Sequence, residues 1–131
     1  MGLSDAGAHV GQICDAVMPT DFLAKWVRDR DVLPMEAGLR KLSGEIADVL
    51  GLDRGYLRAG APADIVVLDW AALDHGPIRR VRDMPADGER LLADAPRGMA
   101  HVLVNGVPVR RDGADVIGQL GVLPGRTLTN A

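Results

Sequence analysis

Apolar positions along this chain change their spacing once, near residue 52. Before that point they recur at helical intervals, first as Phe22, Leu23, Trp26 and Val27, then as Ile46, Ala47, Val49 and Leu50. After it they gather into short strand-like runs, Ile65-Val66-Val67-Leu68 and His101-Val102-Leu103-Val104, followed by Val107 and Val109. The pattern predicts helices followed by strands.

Local signals sharpen these elements. Thr20 is placed to cap the first helix, with Asp21 in its first turn and Lys25, Arg28 and Arg30 toward its far end. Asp31 to Pro34 reads as a break, and Pro34 suits the start of a second helix, Met35 to Leu42. Ser43 reads as the cap of a third helix, with Glu45 in its first turn and Gly51 as terminator. Gly55, Gly60 and Pro62 punctuate the next segments. Asn105-Gly106 predicts a type I′ hairpin, because both turn positions need positive φ. Pro108 marks the return strand as an edge, and Pro124-Gly125 reads as a late turn. Residues 1–16 are Gly-rich and read as a strand end followed by a loop. The helical part has a single strand end to pack against, and the strands are few for a closed sandwich. Both halves therefore look built for partners.

Composition narrows the class. The 131 residues suffice for one ordinary domain, and 47% apolar with 25% charged residues is a globular balance. Net charge is −3, and Arg79, Arg80 and Arg82 form the only basic cluster, read as a solvated face. Phosphate binding needs a more concentrated basic surface, so nucleic acid is not expected as a partner. One Phe, two Trp and one Tyr do not make a base-stacking platform. The single cysteine, Cys14, permits no internal disulfide and fits a reducing compartment. No leader-like stretch and no uncharged run near the ~20 residues of a membrane span is visible, so a cytoplasmic location is expected.

The candidate chemistry lies at the start, in Gly2-Leu3-Ser4-Asp5-Ala6-Gly7-Ala8-His9-Val10-Gly11. A carboxylate in a Gly-rich loop can face a pocket while the backbone passes close to a ligand. That suits general-base work or metal coordination, and a turn or helix cap is the competing role for Asp5. His9 can touch substrate or metal, or be a loop histidine with a satisfied ring. Two candidate ligands leave a zinc site short of its usual three or so protein ligands. His75 sits in a turn setting before Gly76-Pro77, and His101 opens an apolar strand in a structural role. Cys14 reads as an inert buried thiol; a nucleophile paired with His9 is the weaker alternative.

Three stretches carry a family resemblance. They are Leu3 to His9; Leu42 to Leu52 with Arg54-Gly55-Tyr56-Leu57-Arg58-Ala59-Gly60-Ala61-Pro62-Ala63-Asp64-Ile65-Val66-Val67-Leu68-Asp69; and Val102 to Val109 with Pro124-Gly125-Arg126. In this order the chain resembles the C-terminal end of the amidohydrolase superfamily, nearest its D-aminoacylase (N-acyl-D-amino-acid deacylase) branch. The resemblance implies an α/β chain: the C-terminal remnant of a (β/α)8 metal-dependent hydrolase barrel in residues 1–52, then part of a small composite β-sandwich domain in residues 53–131. It implies hydrolysis of non-peptide C–N bonds, those of N-acyl-D-amino acids, a small-molecule amide substrate. Asp5 would be the proton acceptor and metal-linked, with Ser4, Gly7 and His9 lining the substrate. Zinc or another divalent metal belongs to the parent enzyme and is not expected to stay with this chain alone. The family's metal-binding histidines come from earlier strands, so the chain alone is expected to be inactive, completed by a further N-terminal segment or a homo-oligomer. The competing reading is a non-catalytic β-rich interaction or assembly module. A membrane is expected in neither case.

Overall fold

A computed structural model describes residues 10–12 and 15–128. The order is helices first, then strands. A single 3-10 turn, Asp15–Val17, leads into α1 (Met18–Asp21), a π-helical segment (Phe22–Asp29), α2 (Met35–Leu42) and α3 (Gly44–Leu50). The strands are β1 (Ile65–Leu68), β2 (Ile78–Met84), β3 (Gly88–Ala93), β4 (Met99–Val104), β5 (Val107–Arg111) and β6 (Ala114–Asp115). They form an antiparallel four-stranded sheet, ordered β1-β4-β5-β6, and a separate two-stranded ribbon, β2-β3. The architecture is mixed α/β.

The first helix starts earlier than its sequence suggests. Val17 takes the N-cap position and Pro19 lies in the first turn, so Thr20 is inside the helix and caps nothing. From Phe22 the winding widens, and Arg30 N–H donates to the Lys25 carbonyl five residues back at 3.1 Å. Leu23, Ala24 and Val27 face inward, while Trp26 is 44% exposed. Trp26 lies instead beneath the Arg30 guanidinium, 4.4 Å from the ring centroid, a cation–π contact.

Ser43 does stand between α2 and α3, but its hydroxyl donates back to the Leu39 carbonyl at 2.8 Å rather than capping α3. Gly51 ends α3 in the left-handed region, φ 65, as its position predicts. The expected apolar face of α3 is only partly used: Ala47 is buried, but Val49 is 85% exposed.

The Asn105-Gly106 turn has φ 48 and φ 80, matching the expected type I′ geometry, with Val104 opposite Val107. β5 is not the edge strand that Pro108 suggests, because it lies between β4 and β6, but β6 pairs only with Arg110 and Arg111 and leaves Pro108 unreached. The ribbon is the unforeseen element. Its turn is Pro85 to Gly88, with Ala86 and Asp87 both at positive φ (58 and 57). Its flanks are charged on both sides, and cross-strand ion pairs replace an apolar face: Arg79–Asp94 at 2.9 Å, Arg80–Glu89 at 2.8 Å and Arg90–Asp83 at 2.8 Å.

Helices and sheet meet at the loop after β1. Leu73, 1% exposed, packs with Leu23 and Val27, and Leu68 and Trp70 border the same cluster. Arg28 reaches across to donate to the carbonyls of Trp70, Ala71 and Leu73. The loop is held from behind by Gly98, at φ +73, where a Cβ would come within 2.7 Å of the Leu73 nitrogen. Only glycine fits that approach.

These contacts generate a graded prediction. Leu73→Ala should cost roughly 2–5 kcal/mol in urea unfolding, and Gly98→Ala more than about 1 kcal/mol. Gly118→Ala, whose added methyl meets nothing within 4 Å, should stay within about 0.5 kcal/mol. Equal effects at positions 98 and 118 would contradict this packing.

Candidate functional site

The loop candidates Ser4, Asp5, Gly7 and His9 lie outside the described residues, as does Cys14. The described part of that region is the turn Val10–Gln12, which begins one residue after His9.

The other two histidines are described, and each faces one carboxylate. His75 sits in the turn its sequence predicts. Its Nδ1 lies 2.8 Å from the Gly76 carbonyl and its Nε2 lies 3.5 Å from Asp21 Oδ1. His101 sits on β4, where its Nδ1 accepts from the Asp112 amide at 3.3 Å and its Nε2 lies 3.8 Å from Asp112 Oδ1. That matches the structural role expected of it. Neither pair gains a third donor: among the described residues no group of three His, Cys, Asp or Glu side chains gathers. A hydrolytic metal usually takes about three protein ligands. The described donor set therefore does not fit one.

Two clefts flank the helices. One, of about 370 Å³, lies between helices and sheet and is largely apolar, walled by Leu23, Leu39, Leu42, Tyr56, Ile65 and Leu73. Much of its polar rim is already committed. Asp64 accepts from Arg54 Nη1 and from the Asn105 amide, and Ser43 is bonded to Leu39. The cleft can receive an apolar group, but it offers no reacting pair. The other, of about 400 Å³, is bordered by Thr20, His75, Asp94, Arg110 and Asp115. Arg110 is buried and its guanidinium is spent internally, on Met99 O, Gly113 O and Asp115 Oδ1. Arg54, also largely buried, leaves Nε and Nη2 without a hydrogen-bond partner.

The arginine cluster was legible as charge but not as structure. Arg79, Arg80 and Arg82 do lie on a solvated face, as expected, and each is also paired with an acid across the ribbon or its turn. The usable signal was the acid-rich run Asp83 to Glu89 around Pro85 and Gly88, which supplies both a turn and opposite charges.

Arginine partners also set the acid behaviour of the surface. A hydrogen bond from Arg97 holds Asp74 below the usual carboxylate range; Arg90 does the same for Asp83, and Arg126 for Asp53. A hydrogen bond to Asp48 raises Tyr56.

Residues 1–110 match the amidohydrolase family. The chain belongs to that family. It is 42% identical over 91 residues to an N-acyl-D-glutamate deacylase of Alcaligenes xylosoxydans xylosoxydans, covering 69% of this chain and 17% of that enzyme. It is 30% identical over 87 residues to a dihydroorotase of Geotalea daltonii, covering 63% of this chain and 20% of that enzyme. Among solved structures it resembles a D-aminoacylase mutant in complex with copper chloride, with TM-score 0.61 and 28% identity over 84% of this chain and 20% of that one. A second D-aminoacylase structure, which defines a novel subset of amidohydrolases, gives TM-score 0.54 and 27% identity over 75% of this chain and 19% of that one. A third concerns that enzyme's binuclear metal centre. The chain thus spans about a fifth of the length of the relatives it matches.

The carboxylates generate a pH prediction. A group whose folded pKa is depressed stabilises the fold fully above the unfolded value of about 4, and that contribution is lost as pH falls through the folded value. Unfolding free energy should therefore be level from about pH 7 to pH 5 and drop below about pH 4. Arg90→Gln, which removes the partner of Asp83, should make the acid drop shallower. Stability that increases on acidification would contradict these ion pairs.

Proposed function

We propose that this chain is the C-terminal part of a metal-dependent amidohydrolase acting on the amide bond of N-acyl-D-amino acids. The reading is carried by the 42% identity to an N-acyl-D-glutamate deacylase across 69% of the chain, and the resemblance to D-aminoacylase structures supports it. Residues 1–52 would close the barrel, with the last strand end, its loop and the terminal helices. Residues 53–131 would form the C-terminal part of a small β-sandwich.

Asp5 is the proton acceptor in this reading and is also linked to the metal, with Ser4, Gly7 and His9 beside the substrate. Water adds to the amide carbonyl as its proton passes to the Asp5 carboxylate. The same proton then goes to the leaving nitrogen as the C–N bond breaks, giving a carboxylic acid and a D-amino acid. The related D-aminoacylases carry metal centres, and we assign zinc or another divalent cation to the parent enzyme. The described residues offer no donor set for it, so no step is routed through it. The small-molecule amide is the partner, and a further N-terminal segment or a second copy completes the site. Exposed Val66 and Val67 on the edge strand β1 also favour such a covering partner.

The test compares two preparations with N-acetyl-D-glutamate as substrate. The 131-residue chain alone should release no measurable acetate. The chain expressed together with the coding sequence immediately upstream of Met1 should hydrolyse the D-substrate and not the L-isomer, and Asp5→Asn should lower kcat by about 10²-fold or more. Turnover by the isolated chain, or full activity in Asp5→Asn, would overturn the proposal.

A further inference from the structure

We propose that the β2-β3 ribbon is a latch for the backbone that carries the candidate catalytic loop, with Arg80 as a positioning residue. The inference rests on the amidohydrolase reading of Asp5. Its geometry is independent of that reading.

Arg80 and Leu91 are directly opposite each other in the ribbon. Together they grip two consecutive carbonyls of the N-terminal segment. The Leu91 amide donates to Val10 O at 2.7 Å, and Arg80 Nη1 donates to Gly11 O at 2.9 Å. An antiparallel ladder turns alternate amides away from the partner strand, and β3 uses one of these outward amides to hold Val10. The same Arg80 nitrogen donates to Glu89 Oε1 at 2.8 Å, which aims the guanidinium before it reaches Gly11.

The location gives the contact its consequence. Val10 follows His9 directly and stands five residues from Asp5. The sequence between holds Gly7 and two alanines, and a glycine there loses more backbone entropy on being fixed than other residues do. A proton acceptor misplaced by about 1 Å can lose about 10²-fold in rate. A grip on two adjacent carbonyls fixes the peptide plane from which the loop departs. The anchor is stiff in its own right, since Arg79–Asp94, Arg82–Asp87 and Arg90–Asp83 tie β2 to β3 and its turn. The ribbon's contact with the N-terminal segment is made by hydrogen bonds.

The alternative is that Arg80 merely pairs with Glu89 to hold the ribbon together. Amide hydrogen exchange on the 131-residue chain separates the two. In Arg80→Ala the Leu91 amide should exchange about fivefold faster or more, while amides inside the β2-β3 ladder and the thermal midpoint stay unchanged. Arg80→Lys, which keeps a donor, should restore protection at Leu91. In the hydrolytic assay above, Arg80→Ala should lower kcat about tenfold or more with KM unchanged, and Arg80→Lys should recover most of it. Unchanged exchange at Leu91, or equal acceleration across the ladder, would overturn the latch. Normal kcat in Arg80→Ala would overturn its positioning role. The exchange measurement needs no turnover, so it judges the latch even where the hydrolase reading itself fails.

Discussion

The fold depends on one loop being held at the junction of its helices and its sheet. Leu73 inserts an apolar side chain against Leu23 and Val27, while Arg28 from the same helical segment satisfies three carbonyls of residues 70–73. The two contacts are complementary. Burying Leu73 draws its end of the loop inward, and the carbonyls nearest it are bonded rather than left unpaired. One guanidinium nitrogen, Arg28 Nη1, reaches all three carbonyls, while Nε is held by Asp29. Gly98 allows the following segment to lie against the loop from the other side.

A second, smaller unit hangs from this junction. The bridge between Asp74 and Arg97 closes the base of the segment that contains the ribbon. The ribbon then projects away, stabilised by charge pairs more than by burial. Exposed ion pairs are individually weak, about 0–1 kcal/mol, so their number and their cross-strand placement matter. Its contact with Val10 and Gly11 joins the ribbon to the N-terminal segment across roughly seventy to eighty residues. That is the route by which a remote hairpin would act on the loop proposed to be catalytic.

Much of this was legible in the sequence where a residue has one dominant physical role. Asn105-Gly106 gave the hairpin because few residues tolerate two positive φ angles, and Gly51 gave the end of α3 for the same reason. Strands β1 and β4 were visible as apolar runs, but β1 is not the buried strand its composition suggests: Val66 and Val67 are exposed. Capping was less legible, since Thr20 and Ser43 have hydroxyls with several local acceptors, and Ser43 chose the carbonyl of Leu39. Trp26 looked apolar by spacing, yet the wider π winding turned it outward toward Arg30. The ribbon escaped notice because hydrophobic alternation is the usual strand signal, and here arginines and acids occupy both faces. The family was legible from ordered motifs. The candidate site rests on the Asp5 loop, which lies outside the described residues, and its chemistry needs groups that local spacing does not bring together.

The central structural claim is that helices and strands form one unit through Leu73, which provides the frame for everything attached to it. Methyl–methyl nuclear Overhauser contacts on the 131-residue chain test it most directly. The account predicts strong contacts from the Leu73 methyls to those of Leu23 and Val27, alongside the Val104–Val107 contacts of the β4-β5 hairpin. Intact hairpin contacts with none from Leu73 to the helical segment would contradict it.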